Sequence, residues 1–215
     1  MSTWNLDLSH STLGFTVRHL MVTKVHGRFA KATASFDDVA STARAEIDVA
    51  SIDTREEKRD AHLRSADFFD VEKFPTITFE STEVSGAKGD AFVLNGRLTI
   101  HGVTRDVHLE VERLGVAKDP WGNEKVSFEA KTHISRKDFG MTWNVGLEAG
   151  GVLVSDRVDI TLDLQFVKQL LRARRVSRRP QLAVQPISRA HVVGVALLLL
   201  MHALEPTQPR VGGDL

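Results

Sequence analysis

The residues that could carry chemistry in this chain are its nine histidines, its serines and its carboxylates. A metal site on a strand needs ligands two residues apart, because such residues share a face. No His-x-His occurs, and His101, His108 and His133 lie in separate stretches. The absence of cysteine excludes disulfides, thiolate metal sites and cysteine nucleophiles. The sequence therefore predicts no metal site.

Nucleophilic catalysis finds no support in the sequence either. The Gly-x-Ser-x-Gly motif is absent, and Ser81 and Ser135 lie in strand-like sequence. Residues 86–89 (GAKG) lack the spacing and the following helix of a phosphate-binding loop. The mixed charges of residues 56–60 are more typical of a solvated helix face than of paired catalytic carboxylates. We therefore predict no catalytic residues and a protein that is not an enzyme.

Apolar and polar residues alternate along most of the first 168 residues, which indicates strands with one buried face. In residues 43–49, for example, Ala43, Ala45, Ile47 and Val49 fall on one face and charged residues on the other. The strand candidates are residues 4–8, 13–20, 25–36, 43–49, 76–84, 92–100, 107–112, 126–134 and 154–166. Turn signals at residues 85–90, 101–102 and 119–123 separate several of them.

One helical segment interrupts the strands, between residues 51 and 70. Thr54 and Glu57 have the spacing of a capping box, in which the Thr54 hydroxyl accepts a backbone N–H. Leu63 and the phenylalanines that follow supply apolar surface to cover a barrel end. These patterns predict an all-β fold, either an antiparallel barrel or a sandwich, with one short helical insertion.

Charge and composition divide the chain near Lys168. The formal net charge is zero, which gives no electrostatic footprint for nucleic acid. Residues 169–215 nevertheless hold seven arginines and an apolar run at residues 192–204. We predict a barrel over residues 3–168 and a poorly ordered extension over residues 169–215. A weak membrane-surface contact of this extension is the alternative.

The apolar run of the extension is shorter than the roughly 20 residues that a membrane-spanning helix needs. The first residues show no basic segment followed by an apolar run, which is the pattern of a secretory signal. The sequence therefore predicts a cytoplasmic protein.

A series of motifs in the first 140 residues resembles the YceI-like family. In order, they are residues 4–11 (WNLDLSHS), 15–19 (FTVRH), 25–29 (VHGRF), 52–54 (IDT), 59–63 (RDAHL), 65–70 (SADFFD), 74–81 (FPTITFES), 98–104 (LTIHGVT) and 135–140 (SRKDFG). The resemblance covers residues 3–168. It implies an extended lipocalin-like barrel whose apolar cavity holds a polyisoprenoid, such as the tail of an isoprenoid quinone. It also implies a carrier protein with no cofactor, and a homodimer as one assembly to test.

Strand phase within this resemblance selects the residues that would line the cavity. They are Phe15, Val17, His19, Phe29, Phe79, Leu94, Leu98, Val111 and Phe128. His19 would hydrogen-bond a polar head group, while Arg136 with Asp138 would fix a turn. The alternative for each lining residue is ordinary core packing.

Two classes of function follow from this reading. The first is a non-catalytic carrier that holds a long-chain isoprenoid lipid. The second is a barrel enzyme that acts on an isoprenoid or another apolar substrate through His19 or another polar group in the cavity. An enzyme needs titratable groups that converge on the reacting atom, and analysis of the bound lipid distinguishes the two.

Overall fold

The computed structural model describes residues 2–38, 40–148 and 150–170, which form one antiparallel sheet with a single α-helix. The strands are β1 (Ser2–Leu6), β2 (Thr12–His19), β3 (Thr23–Phe29), β4 (Ala32–Asp37), β5 (Thr42–Asp48), β6 (Ile52–Asp53), β7 (Thr76–Lys88), β8 (Ala91–Ile100), β9 (Val103–Lys118), β10 (Glu124–Ser135) and β11 (Arg157–Leu170). The helix is α1 (Glu57–Arg64). In this part of the chain, no helix combines the length and apolarity needed to cross a membrane.

Eight strands close into a barrel. Their order around the ring is β1, β4, β5, β7, β8, β9, β10 and β11, and β11 pairs with β1 to complete the circle. Each pair is antiparallel, and four of the eight neighbouring pairs are joined by short turns. The all-β fold predicted from the alternation is therefore confirmed, as is the extended barrel with one short helical insertion near one end that the family resemblance implied. Eight strands leave an interior just wide enough for side chains or one small ligand.

The remaining strands lengthen the barrel at one end. The last part of β11, residues 166–170, pairs with β1, whereas residues 159–163 pair with β2. From β2 the sheet continues through β3 to β6. We call this the helix end, because α1 follows β6 there. The opposite end, which carries the β4–β5, β7–β8 and β9–β10 turns, is called the hairpin end.

Asp7 fixes the point at which the chain passes from β1 to β2. Its carboxylate accepts hydrogen bonds from Ser9 Oγ at 2.6 Å, Gln165 Nε2 at 3.1 Å and Lys125 Nζ at 3.2 Å. The Ser9 hydroxyl, with Lys125 and His10, lowers the pKa of Asp7 well below its ordinary value, although partial burial opposes this. The ionised carboxylate thus ties the β1–β2 junction to both β10 and β11.

The start of α1 differs from the predicted capping box. Glu56 is the N-cap, and its carboxylate accepts the backbone N–H groups of Lys58 at 3.1 Å and Arg59 at 2.6 Å. Thr54 is buried instead, and its hydroxyl donates to Asp60 Oδ1. The prediction was wrong because Thr54 belongs to the connection between β6 and α1, two residues before the N-cap.

Two strand predictions also need correction. The run at residues 25–36 is two strands, β3 and β4. The chain breaks between them because β3 pairs with β2, whereas β4 pairs with β1 at a different height along the barrel axis. The break is held by Ala30 N–H, which donates to Ser51 O at 3.1 Å, and by Lys31 N–H, which donates to Ser51 Oγ at 3.0 Å. The last strand begins at Arg157, while Val154 forms only an isolated bridge to His19.

The core lies in two clusters along the barrel. Near the helix end, buried residues such as Val49, Ile100 and Phe139 pack with Phe69. Near the hairpin end, Trp4, Val126 and Phe166 pack with Phe36. β11 continues to Leu170, two residues into the predicted extension of residues 169–215, and the rest of that extension lies outside the described residues.

We expect Asp7→Asn to lower the free energy of unfolding at neutral pH by about 1–3 kcal/mol, because the charge-assisted hydrogen bonds of this partly buried carboxylate are lost. A lowered carboxyl pKa stabilises the fold fully above about pH 4, near the pKa of an unfolded Asp, and this contribution disappears as the pH falls further. The difference between the two proteins should therefore shrink at acid pH. Urea unfolding at pH 7 and in steps below pH 4 measures it.

Asp106→Asn is the matched control, because Asp106 is exposed on β9 and forms no hydrogen bond or ion pair within residues 2–38, 40–148 and 150–170. It should change stability by less than about 0.5 kcal/mol. A difference between Asp7→Asn and the original protein that stays constant down to the lowest pH would show that the Asp7 charge has no such role.

Candidate functional site

An elongated cavity of about 520 Å³ runs inside the barrel. This volume lies within the roughly 300–1,000 Å³ of small-molecule sites in proteins. Each of the eleven strands contributes lining residues, because alternate side chains of a strand point to the same face. Most of these residues are Phe, Leu, Ile, Val and Ala. The wall is therefore apolar along most of its length.

All nine residues selected by strand phase line this cavity. Phe15, Val17 and His19 come from β2, and Phe29 lies beside them on β3. The others come from the opposite wall: Phe79 on β7, Leu94 and Leu98 on β8, Val111 on β9, and Phe128 on β10. Contact of these side chains with a ligand stays a prediction.

Two glycines on the inner face leave room for the rings of two of these phenylalanines. A Cβ at Gly27 would lie 2.2 Å from the Phe15 ring, and one at Gly96 would lie 2.4 Å from the Phe79 ring. The rings therefore lie against the sheet, over backbone that has no side chain of its own. The sequence analysis missed these glycines, although both share the strand phase of the lining residues.

Aromatic rings form the wall near the hairpin end. Phe36 meets Phe128 edge-on at a centroid distance of 5.9 Å and Phe166 at 5.1 Å, and it stacks on Trp4 at 5.6 Å. Edge-to-face contacts are the favoured arrangement for phenyl rings. They hold the rings in place, so this part of the wall is a fixed apolar surface.

A polar group also reaches the cavity at the hairpin end. Arg113 lines it with a side chain only 9% exposed, and its Nε donates to Asp90 Oδ1 at 2.9 Å. The sequence analysis missed Arg113 because the predicted strand stopped at residue 112. Its phase could have identified it, since Val107, Leu109 and Val111 alternate toward position 113.

At the helix end, the polar lining residues are held by the protein itself. Arg59 donates to Thr54 Oγ1 at 2.7 Å and to Thr54 O at 2.8 Å. His62 Nε2 lies 2.8 Å from Asp67 Oδ2, and the imidazole packs edge-on against Trp143. These groups serve structural contacts around the cavity end.

Arg136 is the most buried of these cations. It donates to the carbonyl oxygens of Met141 and Trp143, each at 2.7 Å, and pairs with Asp156 at 3.1 Å. Burial lowers the pKa of the guanidinium, and the Asp156 carboxylate opposes that shift. The prediction that Arg136 fixes a turn with Asp138 was therefore wrong in its partner, because Asp156 forms the ion pair from across the loop.

His19 differs from these residues. It lines the cavity at the end of β2, and its imidazole forms no hydrogen bond with the described residues. A ligand head group at this end of the cavity could therefore bond to His19 without displacing a protein partner.

A cluster of Ser9, His10 and Asp7 lies outside the cavity and lacks the geometry of a catalytic triad. His10 Nδ1 lies 3.0 Å from both Ser9 Oγ and Asp7 Oδ2. A triad needs the serine and the carboxylate on different ring nitrogens. Across residues 2–38, 40–148 and 150–170, no three His, Asp or Glu side chains are grouped as metal ligands.

Solved structures share this barrel. A YceI protein of Campylobacter jejuni is 30% identical with a TM-score of 0.62, and the match covers 71% of this chain and 90% of that one. Burkholderia cenocepacia BcnA is 28% identical with a TM-score of 0.61 over 74% and 98% of the two chains. A polyisoprenoid binding domain from Saccharophagus degradans, 19% identical, shares the fold with a TM-score of 0.57 over 77% and 98%.

Sequence relatives agree with this likeness. A UPF0312 protein of Pseudomonas paraeruginosa is 36% identical over 165 residues, which cover 74% of this chain and 83% of that protein. Protein YceI of Salmonella newport is also 36% identical over 165 residues, which cover 74% of this chain and 83% of that protein. The family model described as the YceI-like domain matches residues 4–166. The chain therefore belongs to the YceI-like family, as its motifs predicted.

Proposed function

We propose that this protein is a non-catalytic carrier that holds one long-chain isoprenoid lipid, such as an isoprenoid quinone, inside the barrel. The observation that carries the proposal is the cavity itself, an elongated space of about 520 Å³ with an apolar wall built from all eleven strands. The Saccharophagus degradans structure of the same fold is described as a polyisoprenoid binding domain, which supports this class of ligand.

An apolar chain is the ligand that such a wall favours. Each CH₂ group removed from water contributes about 0.8 kcal/mol before the ligand's ordering entropy is subtracted. A polar ligand would leave its hydrogen-bonding groups unpaired against phenyl rings and aliphatic side chains, which is unfavourable. A single polar head group would instead lie at one end of the cavity, and we place it beside His19 because that imidazole has no protein partner among the described residues.

The alternative, an enzyme that acts on an apolar substrate, has less support. Catalysis needs an acid, base or nucleophile positioned beside the reacting atom. The polar lining residues Arg59, His62 and Arg136 bond to Thr54, Asp67 and backbone carbonyls. They are arranged as structural contacts, and His19 stands apart from them on β2.

We expect purified protein to contain one equivalent of a long-chain isoprenoid lipid. A long apolar chain enclosed by the barrel should be retained through purification, because its release exposes the whole chain to water. Organic extraction followed by mass spectrometry identifies the lipid, and mixing the loaded protein with excess labelled lipid measures its exchange.

The same extract separates the two functions. An intact lipid recovered unchanged after long incubation supports a carrier, whereas a product of altered mass that accumulates with time supports an enzyme. A protein that yields no lipid and takes up none from added polyprenyl alcohol would contradict the carrier proposal.

Gly27→Ala should reduce the lipid content several-fold. The new methyl group overlaps the Phe15 ring, which must leave the wall and enter the cavity. Overpacking of this kind costs about 1–3 kcal/mol of stability. Lipid per protein, measured by mass spectrometry, and thermal unfolding report the two effects.

A second substitution tests the cause. In Gly27→Ala/Phe15→Leu the ring is removed, so lipid content should recover. Gly146→Ala is the control, because a Cβ there meets nothing within 4 Å. Equal lipid content in Gly27→Ala and in the original protein would show that the Phe15 region does not hold the ligand.

A further inference from the structure

The turn that joins β2 to β3 has apolar residues where its shape favours small or polar ones. Val22 N–H donates to His19 O at 3.1 Å, and the two central residues, Leu20 and Met21, have positive φ values of 51° and 61°. Two positive φ values are typical of a type I′ turn, in which Asn and Gly are favoured. Left-handed backbone is unfavourable for residues with large side chains. Leu20 and Met21 therefore stabilise the fold less than Asn-Gly would.

These side chains are also exposed to solvent. Leu20 is 45% exposed, Met21 50% and Val22 75%. Val145, also 45% exposed, lies on the adjoining loop, where Leu20 N–H donates to Leu153 O and Leu153 N–H donates to Val145 O. We call Leu20, Met21, Val22 and Val145 the apolar tip. Strain and exposure together mean that folding alone does not explain these residues.

Two cations lie directly behind the apolar tip. Arg18 on β2 and Lys24 on β3 are cross-strand partners, and both are exposed. Within the described residues neither forms an ion pair with a carboxylate, and Arg18 Nη1 donates only to Val22 O at 3.4 Å. Like charges placed directly opposite each other destabilise a sheet. This pair is therefore complementary to an anionic surface outside the molecule.

We infer that the apolar tip inserts into the surface of an anionic lipid bilayer, with Arg18 and Lys24 at the level of the lipid phosphates. Apolar side chains flanked by cations are the arrangement that binds the interface of such bilayers. The same strand, β2, carries Val17 and His19 on the cavity wall, and Leu153 also lines the cavity. The apolar tip thus adjoins the cavity, and, on the basis of the proposed carrier function, lipid enters and leaves at this end.

The structure favours a bilayer, rather than the chain's own extension, as the partner of the apolar tip. The chain leaves β11 at Leu170, which pairs with Ser2 at the hairpin end, opposite the apolar tip. The hairpin end has an apolar patch of its own around Trp121, which is 83% exposed. In the turn that carries Trp121, this residue does not have a positive φ, and its backbone N–H donates to Asp119 Oδ1. Two cations of that end, Lys125 and Lys168, are paired with Asp7 and Glu124. Trp121 therefore serves as a control.

The test is binding of the full chain to vesicles of one-third phosphatidylglycerol and two-thirds phosphatidylethanolamine, with phosphatidylcholine vesicles for comparison. L20N/M21G places the residues that a type I′ turn favours at the apolar tip, so the protein should unfold at the same or a higher temperature. Its partitioning onto the anionic vesicles should nevertheless fall at least about tenfold, because the inserted apolar surface is lost.

Lys24→Glu tests the cations separately. It replaces a like-charge pair by a cross-strand ion pair with Arg18, which should leave the fold intact. Partitioning should fall by about fivefold for each unit of charge changed and become less sensitive to salt. Trp121→Ser, at the opposite end, should bind like the original protein.

Full binding by L20N/M21G would overturn the inference, because another surface, such as residues 171–215, would then hold the membrane. Equal binding to phosphatidylcholine vesicles would overturn the role of the cations. Lipid extracted from the same preparations keeps the two proposals separate. Vesicle binding by a protein without bound lipid supports membrane docking and contradicts the carrier function. A lipid-filled barrel that binds no vesicles supports the carrier function and contradicts membrane docking.

Discussion

The fold depends on the length of β11 and on the division of one of its edges between two partner strands, β1 and β2. One edge pairs with β10 over residues 157–167, and the other is divided between β1 and β2. A strand of fourteen residues spans about 46 Å at 3.3 Å per residue, which is longer than either partner can cover. The chain therefore has to change level between β1 and β2, and again between β3 and β4. The hydrogen bonds of Asp7 hold the first change, and those of Ser51 hold the second. Barrel closure and the extended helix end both follow from this division.

The interior combines a closed sheet with incomplete packing. A cavity lined by apolar side chains loses dispersion contacts that a filled core would have, and such cavities lower stability. A ligand that binds only the folded protein offsets the loss, because binding raises the free energy of unfolding. An apolar chain held along the axis would supply these contacts. Under the proposed carrier function, the wall and its ligand would therefore form one core.

The sequence predicted the parts of the structure that depend on side-chain alternation. Period-two patterns located most strands, and strand phase placed Phe15, Leu98 and Phe128 on the cavity wall. It failed where a hydrogen bond between distant segments decides the local structure. Glu56 rather than Thr54 caps α1 because Thr54 is bound to Asp60 and Arg59. The break between β3 and β4 depends on Ser51, which lies twenty residues beyond Lys31. Arg113 was missed because the predicted strand stopped at residue 112, whereas pairing with β10 extends β9 to Lys118.

Strand β2 links the surface of the molecule to its interior. Because successive side chains of a strand point to opposite faces, the inward positions of Val17 and His19 require Arg18 to face outward. The ladder then places Lys24 opposite Arg18, and the turn beyond them projects Leu20 and Met21. The exposed hairpin and the cavity-lining residues Val17 and His19 are therefore joined by one strand without an intervening loop. The strained turn is consistent with this role, since selection for stability alone favours Asn-Gly at its centre. Under the proposed membrane docking, the geometry of this one strand would couple recognition of a surface to access to the cavity.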